Sequence, residues 1–212
     1  MTASTPRDDF DRRAATWDDD PMKTARARAV ADAIRAHLPN LASMSGFEYG
    51  CGTGLLSFAL QSSLREIVLA DNSEGMLDVL RNKIAAAQIA NMNPIKLDLT
   101  ADPLPIQRFD LTYSLMTFHH IPDTDDILRK LHALLTSPGY LCIADLDRED
   151  GSFHGGGFDG HNGFDRANLA LKAEQAGFTN IDFSTVFTIH KGNPEKPYPV
   201  FLMTAEKREA HY

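Results

Sequence analysis

Hydrophobic positions along this chain alternate between helical and strand periods. Ala27, Val30, Ala31, Ile34 and Leu38 fall on one face at helical spacing and stop at Pro39-Asn40, which predicts a helix ahead of a first short strand around Phe47-Glu48-Tyr49. Leu55, Phe58, Ala59 and Ser62 continue as a second helix, and Ile67 to Ala70 as a buried strand ending at Asp71. Ser73 to Ala87 reads as a helix with Met76, Leu77, Leu80 and Ile84 inward, Ile95 to Leu99 as a strand, and Phe109 to Leu115 as another. The clearest helix runs from Asp123 to Thr136, where Ile127, Leu128, Leu131, Leu134 and Leu135 repeat as i, i+1, i+4, i+7, i+8 and acids crowd the positive end. Pro138-Gly139 is expected to stop it before a strand at Tyr140 to Asp145. A last helix (165–176) and two β-rich runs (181–189 and 200–207) follow. Strands alternating with helices argue for an α/β fold around a mostly parallel sheet.

The pattern breaks once. Residues 147–164 hold six glycines among eighteen positions, which excludes a regular element. A loop of that length inside a domain is functional or disordered. It leaves the carboxyl end of the fifth strand, where open α/β sheets bind ligands, so it is expected to form a substrate wall or lid.

With 212 residues, 43% apolar, the chain fits one domain. Its parts are an N-terminal cap (1–21), a core (22–145), the glycine-rich loop (146–164) and a C-terminal helix with hairpin (165–212). Net charge is -8, and no Lys/Arg cluster stands out beyond Arg12-Arg13 and scattered Lys23, Arg26 and Arg28. Nucleic acid is therefore not expected as a partner, because phosphate neutralisation supplies most non-specific affinity. The first twenty residues lack an apolar core of signal-peptide length, and no run approaches the ~18 apolar residues of a membrane span. A cytoplasmic protein is expected. Cys51 and Cys142 are the only cysteines, too few for a disulfide framework.

The chemistry-bearing stretch is Phe47-Glu48-Tyr49-Gly50-Cys51-Gly52-Thr53-Gly54-Leu55. Three alternate glycines between a strand and a helix allow positive φ and close approach of main chain to a ligand. A dinucleotide fingerprint reads G-x-G-x-x-G, and Leu55 occupies the position its third glycine requires. Asp71 suits a ribose, whose two hydroxyls can both donate to one carboxylate, but NAD enzymes use the same device.

Glu48-x-Gly50-x-Gly52-x-Gly54 resembles the first motif of class I S-adenosylmethionine (SAM) dependent methyltransferases. The stations at Asp71, at Asp98, at Phe109 to Leu115 with Met116 to Asp123, and at Tyr140 to Asp145 follow in that family's order across roughly residues 22–145. The run 115–123 is similar to the small-molecule type of ubiquinone and menaquinone biosynthesis. The resemblance implies a Rossmann-like fold with seven strands, mostly parallel, a C-terminal antiparallel hairpin and helices on both faces. It also implies SAM as cofactor and S-adenosylhomocysteine as product. On this reading the glycine loop (Glu48, Gly50, Cys51, Gly52, Gly54, Leu55) lies under the methionine part and Asp71 takes the ribose. Asp98 accepts from the adenine amino group, the Leu99 amide faces a ring nitrogen, and Asn72, Met76, Ser114, Leu115 and Trp17 complete the cofactor site.

No Asn/Asp-Pro-Pro-Tyr or Pro-Cys motif follows strand four, so a small-molecule acceptor with an O, C or S nucleophile is expected. A non-catalytic SAM-binding or partner-binding protein on the same fold is the alternative. His119 and His120 are the candidate catalytic residues, as a general base near the ordinary histidine pKa, or else a pair that fixes the loop before the Asp123 helix. His154, Asp159 and His161 match no ligand spacing, and no metal is expected. Trp17 either caps the sulfonium with its aromatic face or anchors the N-terminal segment.

Overall fold

The computed structural model describes residues 6–209. They divide into two compact units, one ending at Asp102 and the other starting at Pro103, with three strands in the first and four in the second.

The first unit opens with α1 (Pro6–Arg13), a 3-10 segment (Ala14–Asp19) and α2 (Pro21–His37). Asp20 caps α2, accepting from the Met22 amide at 2.9 Å, and Pro21 fills a first-turn position where an N–H has no helical partner to lose. The buried stripe of α2 is Ala27, Val30, Ala31 and Ile34, as the periodicity predicts. Strands β1 (Ser45–Tyr49), β2 (Glu66–Asp71) and β3 (Met92–Lys96) lie parallel in the order β3-β2-β1. Helices α3 (Leu55–Leu60) and α4 (Glu74–Ala86) provide the crossovers.

Two expectations need correction in this unit. Helix α3 ends at Leu60, with Ser62 in a 3-10 turn (Gln61–Ser63), and its buried face is Leu56, Ser57 and Leu60. Five of its six residues are apolar, so hydrophobic spacing carries no phase. Strand β3 runs three residues earlier than expected. Pro94 is tolerated because β3 is an edge strand. The strand ends before Asp98 because that carboxylate captures the Thr100 amide (2.9 Å) and hydroxyl (2.6 Å), and the Asp98 carbonyl accepts from Ala101 and Asp102.

The second unit contains β4 (Phe109–Leu115), α5 (Thr124–Leu134), β5 (Leu135–Leu146), α6 (Arg166–Gln175), β6 (Thr179–Lys191) and β7 (Lys196–Lys207). Strand β5 is parallel to β4, and β7 runs antiparallel between β5 and β6. Asp123 caps α5 through the Asp126 amide at 2.9 Å. The helix ends at Leu134, two residues early, and β5 starts at once rather than after Pro138-Gly139. Leu135 pairs with Phe109 and Tyr140 with Leu111, so residues 136–139 bulge within the strand, which is where a sheet accommodates proline. Residues 147–164 form no helix or strand, only a bridge between Asp147 and Phe164. No helix among the described residues is long and apolar enough to cross a membrane.

Candidate functional site

In the first unit, the glycine loop is a tight turn built on β2. The amides of Gly50 and Cys51 both donate to the Ala70 carbonyl (2.8 and 3.1 Å), and the Gly54 amide closes the turn on the Cys51 carbonyl at 2.8 Å. All three glycines have positive φ: 68° at Gly50, 53° at Gly52 and 80° at Gly54. At Gly54 a Cβ would also come within 2.6 Å of Leu80 Cδ1, so α4 packs where a side chain would stand.

The Gly52 amide donates to Asp71 Oδ2 at 2.7 Å and the Ser73 amide to Oδ1 at 2.9 Å, so the acid is already braced against the loop. Burial raises the Asp71 carboxyl above its ordinary range, and these N–H bonds offset part of that rise. Asn72 links the ends of β2 and β3, its Nδ2 donating to Asp98 Oδ2 at 3.1 Å. The Leu99 amide bonds the Tyr49 hydroxyl, whose pKa burial pushes up. Met76 is buried in α4, and Leu55 is half-buried at the start of α3.

Glu48 points inward. Its carboxyl is buried and accepts from the Ser57 hydroxyl in α3; burial pushes its pKa up to about 8. Cys51 is a buried thiol whose pKa burial, then Asp71 and Glu48, push well above the ordinary value. It has none of the electropositive setting a reactive cysteine needs.

The N-terminal segment ties onto this loop through residues that hydrophobic spacing does not flag. Asp18 accepts from Thr53 Oγ1 at 2.5 Å and from Lys83 at 2.6 Å, and Lys83 also reaches the Thr53 carbonyl at 2.9 Å. Asp11 accepts from the Ser73 hydroxyl (2.5 Å) and the Gly75 amide (2.9 Å) at the start of α4. Trp17 has Lys23 Nζ 3.6 Å from its ring centroid, Arg13 at 5.0 Å and Phe10 edge-on. Its ring is thus already engaged by cations of its own segment.

In the second unit, Ser114 is buried and Leu115 half-buried at the carboxyl end of β4. The chain then turns sharply at Met116, whose φ is 55°, an uncommon conformation for a side chain of that size. This turn leads into a 3-10 segment, Phe118–His120. His119 is buried, and its Nδ1 lies 2.6 Å from Oδ1 of the buried Asp145, which ends the predicted fifth strand. Asp145 also accepts the His119 amide (3.2 Å) and the Leu146 amide (2.7 Å). Burial alone would raise this carboxyl, but the His119 ring and these N–H groups more than offset it and hold it below its ordinary value.

The glycine-rich loop closes on this turn. The His161 amide donates to the His119 carbonyl at 2.7 Å, its Nε2 meets the Ile121 carbonyl at 2.9 Å, and a Cβ on Gly160 would sit 2.3 Å from the His119 carbonyl oxygen. His154 comes from the same loop to within 4.9 Å of the His119 ring and 5.5 Å of the His120 ring, stacked on Phe158 at 3.8 Å. Burial first and neighbouring His119 second push His120 down to about 3 and His154 to about 4, so both imidazoles are neutral near pH 7. Asp145 and His154 were not among the expected site residues; the position of Asp145 at a strand end, beyond a His-His pair, was the available signal.

The family described as "Methyltransferase domain" matches residues 47–139. An uncharacterized methyltransferase of Schizosaccharomyces pombe is 30% identical over 155 residues, covering 66% of this chain and 55% of that protein. The ubiquinone biosynthesis O-methyltransferase of Coxiella burnetii is 31% identical over 101 residues, covering 48% and 43% respectively. The chain thus spans about half the length of the curated relatives it matches. Among solved structures, Haemonchus contortus phosphoethanolamine N-methyltransferase 2 in complex with S-adenosyl-L-methionine aligns over 85% of this chain and 52% of its own, with a TM-score of 0.70 at 14% identity.

Proposed function

We propose that the chain is a class I SAM-dependent methyltransferase, a reading supported by its match to the methyltransferase domain over residues 47–139 and its 30% identity to an uncharacterized methyltransferase, and that it transfers a methyl group from SAM to an O, C or S nucleophile of a small molecule and releases S-adenosylhomocysteine. The observation that carries this reading is the positive-φ loop Gly50–Gly54 braced by Asp71. The residues fit such a cofactor: the loop presents bare backbone, and the Asp71 carboxylate, with about four acceptor sites, takes backbone bonds from Gly52, Asn72 and Ser73 and keeps one for a ribose hydroxyl. The sulfonium brings its own activated methyl, so this chain needs to bind, orient and exclude water rather than form a covalent intermediate.

Gly50, Gly52 and Gly54 admit the methionine part, Asp71 orients the ribose, and Asp98 with Asn72 recognises the adenine. Glu48 and Cys51 act from within, holding the loop through Ser57 and by packing. Trp17 anchors the N-terminal segment, which Asp18 and Lys83 clip to the loop. Ser114, Leu115 and the histidine turn belong to the acceptor: Asp145 fixes the His119 tautomer so that Nε2 is left to accept the acceptor's proton, and neutral His120 is a weak base beside it.

The test is to incubate the protein with SAM and a panel of small phenols, thiols and carbon acids and to follow S-adenosylhomocysteine release. Product formed with an acceptor and lost in a Gly52→Val variant supports the reading. Cofactor binding with no turnover across the panel moves the protein to a SAM-binding role without catalysis.

A further inference from the structure

We propose that His119, His120 and His154 bind a divalent first-row transition ion of the zinc type through three imidazole nitrogens. One ring nitrogen from each lies within 4.8 Å of the others. Three imidazole nitrogens suit Zn, Ni, Cu or Fe rather than Mg or Ca, which take oxygen.

The groups around the cluster are those a metal site needs. Asp145 sits behind His119 at 2.6 Å on Nδ1 and leaves Nε2 as the coordinating atom, the carboxylate–histidine arrangement that orients a ligand and raises its basicity. The Nδ1 atom of His154 is buried with no hydrogen-bond partner, an orphaned polar atom that a ligand would satisfy. Phe158, stacked on His154, and Phe153, edge-on to it, supply the apolar shell. Zn–N bonds of about 2.0–2.1 Å in a tetrahedral set put the nitrogens about 3.3 Å apart. The cluster must therefore contract by about 1.5 Å, and His154, carried on an irregular loop, is the member free to rotate inward. His161 and Gly160 hold that loop against the His119 carbonyl, so the third ligand stays within reach. The loop's histidine therefore joins the two on the turn, which the spacing of His154, Asp159 and His161 did not suggest.

Three protein ligands leave a fourth position open, as in catalytic rather than structural sites. The ligand class that fits is a small molecule with a hydroxyl or thiol, whose pKa a bound divalent ion would lower in place of proton abstraction by His119, since the ion would occupy Nε2. This last assignment rests on the methyl-transfer reading; the metal site itself does not.

The experiment is calorimetric titration of chelator-treated, dialysed full-length protein with Zn²⁺ alone, with Co²⁺ absorption as a second readout. The expected result is one ion per chain, a Co²⁺ visible spectrum of four-coordinate type, and at least tenfold weaker binding in both His154→Ala and His120→Ala. Asp145→Asn should weaken binding 10–100-fold, whereas His190→Ala, an exposed histidine of β6, should leave it unchanged. Because His119 and Asp145 are buried, His154→Ala carries the test, with its fold checked by circular dichroism. No stoichiometric binding by folded wild type, or wild-type affinity in the His154 and His120 variants, overturns the proposal. S-adenosylhomocysteine binding, measured on the same metal-free sample, separates that failure from failure of the methyltransferase reading.

Discussion

The Gly52 amide donates to Asp71 at 2.7 Å, which ties the turn after β1 to the acid that ends β2. The strands β1 and β2 pair in register, Tyr49 opposite Ala70, which sets the loop directly over that acid. Pre-organisation of this kind reduces the ordering cost of binding.

Gly54 is the position of this turn least open to change. With φ at 80° and a Cβ 2.6 Å from Leu80, Gly54→Ala combines a left-handed alanine with a clash in the core. Backbone strain of this sort costs about 1–3 kcal/mol. Thermal denaturation should show a Tm lower by several degrees, since about 1 kcal/mol shifts a chain of this size by 2–4 °C.

Lys83 bridges Asp18 and the Thr53 carbonyl. Lys83→Met keeps the aliphatic stem but removes both bonds, and should cost about 1–2 kcal/mol, between an exposed pair and a buried charged hydrogen bond. The expected signature is faster proteolysis within residues 6–20 than in wild type, together with a lower denaturation midpoint. Unchanged cleavage would mean that α1 and its following turn are held by packing alone.

Glu48 gives stability a pH dependence of defined sign. Its folded pKa, about 8, lies above its unfolded value near 4.5, so its favourable contribution is complete below pH 4.5 and declines as pH rises through 8. Wild type should therefore lose several degrees of Tm relative to Glu48→Gln between pH 5 and 8.5. Parallel Tm curves for the two proteins over that range would show that Glu48 stays ionised in the fold.

For the histidine turn, turnover discriminates between residues. General-base contributions are typically 10²–10⁴-fold in kcat. His119→Ala should fall in that range, and Asp145→Asn should shift the pH profile by altering the tautomer. Undiminished turnover from pH 6 to 9 in both His119→Ala and His120→Ala would remove the proton-transfer role.

Strand β4, the face of α2 and the start of α5 at Asp123 were legible because hydrophobic period and the acids at the positive helix end agree there. The phase of α3 was not, because an almost wholly apolar hexamer has no periodic contrast. The end of β3 depends on the Asp98 side chain folding back on Thr100, a contest between side chain and ladder that alternation does not report. The glycine loop and Asp71 could be read from order and spacing. Asp145 beside His119, and His154 approaching from a loop thirty-four residues further on than His120, are tertiary juxtapositions with no local signature.

The central claim is that the loop braced by Asp71 is a cofactor site. Calorimetric titration of cofactor-stripped protein with S-adenosylhomocysteine, run beside Asp71→Ala, tests it most directly. The account predicts one site per chain in wild type and affinity at least tenfold weaker in the variant, consistent with about 1.5–3 kcal/mol for hydrogen bonds to a charged group. No binding by folded wild type, or equal affinity in Asp71→Ala, would contradict it.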